Sequence, residues 1–522
     1  MPYADSAATA HRWATERAVA LWAIFAGDLP PAALAALGPG VDAARTDGAM
    51  VAVVVAEGQP PTAEERSLAD IVIPGPAAPA PFGLFAALEA AGVDDVRRLG
   101  VLGAGADALA AAHRAGAGAV VGIAARDPAA RRPLLPAQPD TIVAPAEFAA
   151  LDAERHASGR AHRQRVLLNP GPAVVSDRVH RAVAGPDLCH REPEYAALLV
   201  SVRRKLLLVA GVGDDWATVL LAGSGTAAME AMVGAAVRPG HGLLVCQNGV
   251  YGERLVTIAR RLGIAVTAVV ADPLDPIDPA AVAAALDADP ALDAVVVVHH
   301  ETTTGLLNPV AAISAVAKAR GVPTLVDAIS SLGAEALDLD GTGIDFVAST
   351  SNKCLHGLPG VAIVLVSPDG QRRAAEVPPR SLYFDLTAYL AAQAKGSVPF
   401  TPAIPAVYGL DAALEELLDE GIDHRRNQYA ARTALLDREF TRLGLVPRVA
   451  APHRSHSVRS LPLPPGVAYH TLHDALKRAG YIIYAGLGPD AASSFRVCAL
   501  GALELGVLDG FVAAFEAAIH DG

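Results

Sequence analysis

Lys353 stands in the stretch SNKCLHGLPG (351–360) and is one of five lysines in a chain whose lysines and arginines together number 42. Arginine holds its proton near neutral pH, whereas a lysine amine gives it up when it is desolvated or set beside other positive charge. A lysine among so many arginines, just past the apolar run DFVAST, therefore points to amine chemistry such as a Schiff base with a carbonyl. Asp327, in VDAISSLGA (326–334), closes another apolar run. A carboxylate there needs a cation or a strong donor. It can serve as a helix cap or in a buried structural pair, or it can hold a protonated ring nitrogen through a charge-assisted hydrogen bond. A third stretch, ATVLLAGSGTAAMEAMVGAAV (217–237), reads as a strand, a glycine turn and a helix opening at Thr226. The backbone of Ser224, Gly225 and Thr226 is then a phosphate cradle at a helix N-terminus. A tight turn with no ligand gives the same pattern.

The elements that must position these residues are two adjacent parallel strands, ending near Asp327 and Lys353, and the strand leading into the cradle. Amine, ring-nitrogen partner and phosphate turn match three separate parts of one cofactor, pyridoxal phosphate. Further segments follow in order: LLNPGPAVVS (167–176), NGVYGERL (248–255), HHETTTGLLNP (299–309) and FRVCALG (495–501). From about residue 164 onward the chain resembles the fold-type I aminotransferases of class V, and within them the 2-aminoethylphosphonate:pyruvate group.

That resemblance implies a large α/β domain (166–415) that binds the cofactor and a small C-terminal α+β domain (416–522). It implies that Lys353 carries the cofactor and shuttles a proton, that Asp327 protects the protonated ring nitrogen, and that Tyr251 stacks on the ring. Tyr251 also reads as an ordinary core or turn aromatic. Thr303 falls in the segment lining the ring edge, and Thr401 in FTPAIP matches a position reaching the phosphate of a neighbouring subunit, which requires a homodimer with active sites at the interface. Arg496 is the candidate anchor for an anionic substrate end through its bidentate fork; arginine in so arginine-rich a chain is usually a solvated surface residue, but its place between apolar neighbours and just before a glycine in SSFRVCALG favours the pocket. His190 and Arg191 in CHREPEY (189–195) either complete a phosphonate site or hold the subunit interface. The implied reaction moves an amino group from 2-aminoethylphosphonate to pyruvate, or runs in reverse. An alanine- or serine:glyoxylate aminotransferase acting on carboxylates alone would share the cofactor constellation, and a noncatalytic phosphonate sensor is an alternative of another class.

Before the polar linker LDAERHASGRAHRQR (151–165), residues 1–150 alternate apolar runs with helical patterns: AVALWAIF, MVAVVVA, DIVI, RLGVLG and AVVGIA. This is the rhythm of a Rossmann-like, doubly wound parallel sheet. The region resembles the haloacid-dehalogenase phosphohydrolases, including their phosphonoacetaldehyde hydrolase branch. By that resemblance the nucleophilic aspartate is replaced by Ala26, with Asp28 at the second acidic position; Ala78 replaces a lysine and Ala104 a metal-binding carboxylate. The unit therefore reads as degenerate and noncatalytic, with no metal bound.

The 522 residues are 52% hydrophobic and carry a formal net charge of −13, which argues against nucleic acid and anionic membrane surfaces as partners. The N-terminal sequence lacks a signal-peptide pattern, no stretch of spanning length is uninterruptedly apolar, and the four cysteines have no metal-type spacing. The expected location is the cytoplasm, with small-molecule phosphonates and 2-oxo acids as partners.

Overall fold

The computed structural model describes residues 165–487 and 491–520, and in the preceding part the strands, helices and adjoining turns found between residues 21 and 143. The chain divides into two compact units, Met1–Arg165 and Val166–Gly522.

In the first unit the strands Leu21–Phe25, Met50–Ala56, Ile71–Gly75, Leu99–Gly103, Ala119–Ile123 and Thr141–Val143 form one parallel sheet in the order third, second, first, fourth, fifth, sixth. Side chains alternate between its faces. Trp22, Ile24, Val51 and Val53 share a core with Leu34, Leu37 and Val41 of the helix Pro31–Thr46. Leu21, Ala23, Phe25, Ala52 and Val54 share another with residues of the helices Phe82–Ala90 and Ala106–Ala115. Apolar runs without polar alternation follow from burial on both faces. The sixth strand, Thr141–Val143, has no counterpart among the five runs read from the sequence. Strand order reverses between the first and fourth strands, and there Ala26 is buried and Ala104 partly exposed. Asp28, Ala78 and residues 151–164 of the linker lie outside the described residues.

The second unit is built on a seven-stranded sheet. Its spatial order is Ala265–Val270, Gly242–Gln247, Leu292–Val298, Thr324–Asp327, Phe346–Thr350, Gly360–Val366, Ala217–Gly223. Neighbours are parallel except that Gly360–Val366 runs against both of its partners. The strand Leu292–Val298 shows why the order is stable: Val295 and Val297 enter one core, and Ala294, Val296 and Val298 the other. The first core takes in the helices Pro193–Ala210 and Ile404–Glu420, the second the helices Gly225–Ala236 and Val250–Arg261. Pro193 sets the first helical position of Pro193–Ala210, and Gly211 ends it at a left-handed φ of 68°, the usual division of labour between the two residues.

A smaller antiparallel sheet, Val458–Pro462, Ser494–Cys498 and Tyr484–Ala485, packs with the helices Ile422–Arg442, Tyr469–Arg478 and Leu505–His520 around Phe440, Phe495, Phe511 and Phe515. The strand Val166–Leu167 pairs with Tyr481–Ile482, and Leu168 enters this same core. The start of the unit thus contributes to the smaller core, although its sequence neighbours belong to the large part. Among the described residues, no helix is long and apolar enough to cross a membrane.

Candidate active site

Parallel strands bring their C-terminal ends to one edge of a sheet, and the candidate residues gather on that edge. Thr324–Asp327 and Phe346–Thr350 are adjacent and parallel, with Asp327 opposite Ala348. Asp327 thereby shares an edge with the loop that carries Lys353. On its other side Asp327 pairs with Val298, and its carbonyl accepts from His299 N–H at 2.9 Å, which places the HHETTTG segment beside it. The helix Gly225–Ala236 opens at this end, one residue earlier than the sequence reading put it.

Lys353 is largely buried. Loss of water lowers its amine below the ordinary lysine value and Arg496 lowers it further, against the opposing influence of Cys498, Cys354 and Asp327. Its Nζ donates to the carbonyl of Pro170. Asp327 is 4% exposed. Burial pushes its carboxyl up to about 7 and Glu301 adds to the rise, while the Ile329 N–H, at 3.0 Å, Arg254 and Lys353 act the other way. No ion pair to Asp327 forms among the described residues, so it offers a buried acceptor for a cationic group.

Ser224 caps the helix Gly225–Ala236 with extended backbone, and its hydroxyl bonds none of the helix N–H groups. The Ala227 N–H turns back to the Ser224 carbonyl at 2.8 Å, which leaves the opening N–H groups of Gly225 and Thr226 for an anion. Gly225 permits close packing, since a Cβ there would come within 2.6 Å of Ile329 Cδ1. Arg254 links the cradle to Tyr251: its Nη1 donates to Thr226 Oγ1 at 3.4 Å, and its guanidinium lies 4.8 Å from the Tyr251 ring centroid. An open anion cradle, an aromatic beside it, a buried carboxylate lacking a cation and a desolvated amine together suit the phosphate, ring, ring nitrogen and aldehyde of pyridoxal phosphate.

Two residues not singled out from the sequence complete the wall. Glu301 is fully buried and accepts from Tyr251 N–H at 3.2 Å, Thr303 N–H at 3.3 Å and Thr303 Oγ1 at 2.7 Å. Burial pushes its carboxyl up, against these donors and the charge of Arg496. It fixes Tyr251 and Thr303 relative to each other, and a side chain at Gly249 would run into it. Arg254 is the second. The usable sequence signal was a carboxylate inside HHETTTG, directly after an apolar strand.

Arg496 is 3% exposed, which rules out the solvated surface reading. Its Nε donates to Ala485 O at 2.9 Å and its Nη1 to Thr302 O at 3.2 Å, with Tyr484 beneath it at 5.9 Å. No described carboxylate forms an ion pair with it, so its charge remains available for an anion. Thr303 is buried, its hydroxyl turned to Glu301. Thr401 is exposed in the segment before the helix Ile404–Glu420, His190 is half-buried and Arg191 exposed in the turn before Pro193–Ala210. Among the described residues, none of these three hydrogen-bonds Lys353, Asp327 or Arg496.

Residues 178–499 match the family model described as Aminotransferase class-V. The 2-aminoethylphosphonate–pyruvate transaminase of Burkholderia thailandensis is 37% identical over 362 residues, covering 69% of this chain and 97% of that protein. The transaminase of the same name from Vibrio cholerae is 33% identical over 361 residues, covering 68% of this chain and 98% of its own length. Among solved structures, an aspartate aminotransferase of subgroup IV from Thermus thermophilus superposes with a TM-score of 0.63 at 30% identity, over 68% of this chain and 99% of that one. The alanine–glyoxylate aminotransferase from Nostoc sp. gives 0.66 at 26% identity, over 68% and 95%. The chain belongs to the class V aminotransferases, of the fold-type I architecture that works through pyridoxal phosphate.

Proposed function

We propose that the chain transfers the amino group of 2-aminoethylphosphonate to pyruvate, giving phosphonoacetaldehyde and alanine, or runs the reverse reaction. The observation that carries this reading is the match to curated 2-aminoethylphosphonate–pyruvate transaminases along nearly their whole length. When bound, pyridoxal phosphate supplies an aldehyde for the donor amine and a ring that accepts electrons from the carbon losing its proton. Ser224, Gly225 and Thr226 hold its phosphate, Tyr251 lies against the ring, and Asp327 keeps the ring nitrogen protonated. Lys353 Nζ, its basicity lowered by burial, takes the proton from the amine-bearing carbon and returns it at the other end. Arg496 orients the anionic end of each substrate, phosphonate or carboxylate.

The test is the visible spectrum of the purified, cofactor-loaded protein. Adding 2-aminoethylphosphonate without an acceptor should bleach the yellow band, and pyruvate should restore it. A band bleached by alanine and restored by glyoxylate, but unmoved by the phosphonate, would sink this reading in favour of the glyoxylate type.

The same proposal takes residues 166–415 as the cofactor-binding domain and 416–522 as the small domain. It makes the enzyme a cytoplasmic homodimer, with Thr401 reaching the partner's phosphate site and His190 and Arg191 either completing the phosphonate site or holding the subunit interface. Residues 1–150 are a degenerate haloacid-dehalogenase-like domain. Support comes from the parallel sheet with Ala26 at its order reversal, where a ligand site of such a sheet belongs and where alanine offers no nucleophile.

A further inference from the structure

Among the described residues, His356 alone combines a side chain with a left-handed backbone, at φ 58°. A residue with a side chain is uncommon in that conformation and strained there, although histidine adopts it more readily than most. It lies three residues after Lys353, and its N–H closes the turn onto the Lys353 carbonyl at 3.0 Å. The imidazole is 3% exposed and spent entirely on other segments. Nδ1 faces Arg425 Nη1 at 3.0 Å, and Nε2 faces Tyr429 Oη at 2.5 Å, both from the helix Ile422–Arg442. The Gly501 N–H, just beyond the strand that carries Arg496, donates to Nε2 at 3.1 Å.

Arg425 and the Gly501 N–H can only donate, so each ring nitrogen faces an obligatory donor, and the Tyr429 hydroxyl, able to donate or accept, shares Nε2 with Gly501. Burial and the charges of Arg425 and Arg432 keep the ring neutral. Arg425 is itself paired with Glu420 at 2.5 Å, so the imidazole is held at both nitrogens by anchored groups. We infer that His356 is a positioning residue: through Arg425, Tyr429 and the Gly501 turn it locks the Lys353 loop to the smaller core, fixing the reacting amine relative to Arg496. This rests on the roles proposed above for Lys353 and Arg496.

Two substitutions separate imidazole from backbone. His356→Gly keeps the left-handed turn without strain and removes the bridge; Tyr429→Phe keeps the packing and removes the hydroxyl hydrogen-bonded to Nε2. In the full-length, cofactor-loaded protein both should retain the visible band, shift the pH midpoint of that band, and lower kcat on the order of ten to a hundredfold with KM for the donor changed far less. An unmoved midpoint with kcat close to that of the unsubstituted protein would overturn the inference. So would a loss of kcat that merely follows a loss of thermal stability, the midpoint unmoved. Absence of the band from the unsubstituted protein would overturn the cofactor reading beneath it as well, and is distinguished by appearing before any substitution.

Discussion

Replacing Lys353 by arginine keeps the charge and most of the length but removes the one property the reaction uses, an amine that can be neutral. The K353R protein is expected to lose the visible band and at least roughly 10²–10⁴ of its transamination rate, measured by alanine formation; a retained band would place the cofactor on another residue. Asp327 carries a different expectation, about stability. Its carboxyl is pushed up to about 7 in the folded chain, against about 4 when unfolded. The folded protein thus holds the extra proton, and stability contributed by this group falls as pH rises between those values, by about 1.4 kcal/mol per unit at the steepest. Asparagine has no such dependence. In the cofactor-free protein, the thermal midpoint of Asp327→Asn should gain on that of the unsubstituted protein from pH 5 to pH 7.5 and level off above. A constant gap would mean that the carboxylate is solvated. In the loaded enzyme the same change removes the ring-nitrogen partner, at a cost of roughly 10²–10³ in kcat.

The strand Ser494–Cys498 is where an element, rather than a residue, makes the substrate anchor. Arg496 pairs in register with Ser460 on one side and Tyr484 on the other, and both its recorded hydrogen bonds go to carbonyls of other segments. Arg496→Lys keeps a charge and loses the fork, so KM for the amino donor should rise roughly tenfold to a hundredfold while the visible band persists; an unchanged KM would remove Arg496 from the substrate site. This strand was legible as a motif, FRVCALG, and the apolar neighbours of Arg496 favoured a pocket over the surface that arginine composition suggests, which its burial bears out. The edge that assembles the site was better legible: apolar runs, one closed by Asp327 and the other leading to Lys353, imply neighbouring parallel strands, which the register bears out. What the runs could not encode was direction and distant pairing. GVAIVLV is equally apolar either way round, yet Gly360–Val366 alone in its sheet runs antiparallel to both neighbours. Val166–Leu167 is too short to announce the partner it finds at Tyr481–Ile482. Glu301 and His356 escaped notice for a related reason: their roles depend on hydrogen-bond partners 50 and 73 residues away along the chain.

At the scale of the molecule, the question is what the first unit adds. The second unit has two cores flanking its large sheet and a third around the small one, all formed from its own residues, which is the condition for folding independently. Transaminase relatives match 69% of this chain while being covered over 97% of their own length, so they complete their reaction without a counterpart to most of the first 165 residues. Every candidate catalytic, cofactor and substrate residue, from His190 to Arg496, also falls after Arg165. A chain beginning at Arg163 should therefore fold, load the cofactor and transaminate with kcat/KM within about twofold of the full-length value, a barrier difference of only about 0.4 kcal/mol, at the same oligomeric state by light scattering. A tenfold fall with the band intact would instead make the first unit part of the working site or of the assembly that completes it, and Ala26 at its strand reversal would then need a role other than that of a lost nucleophile.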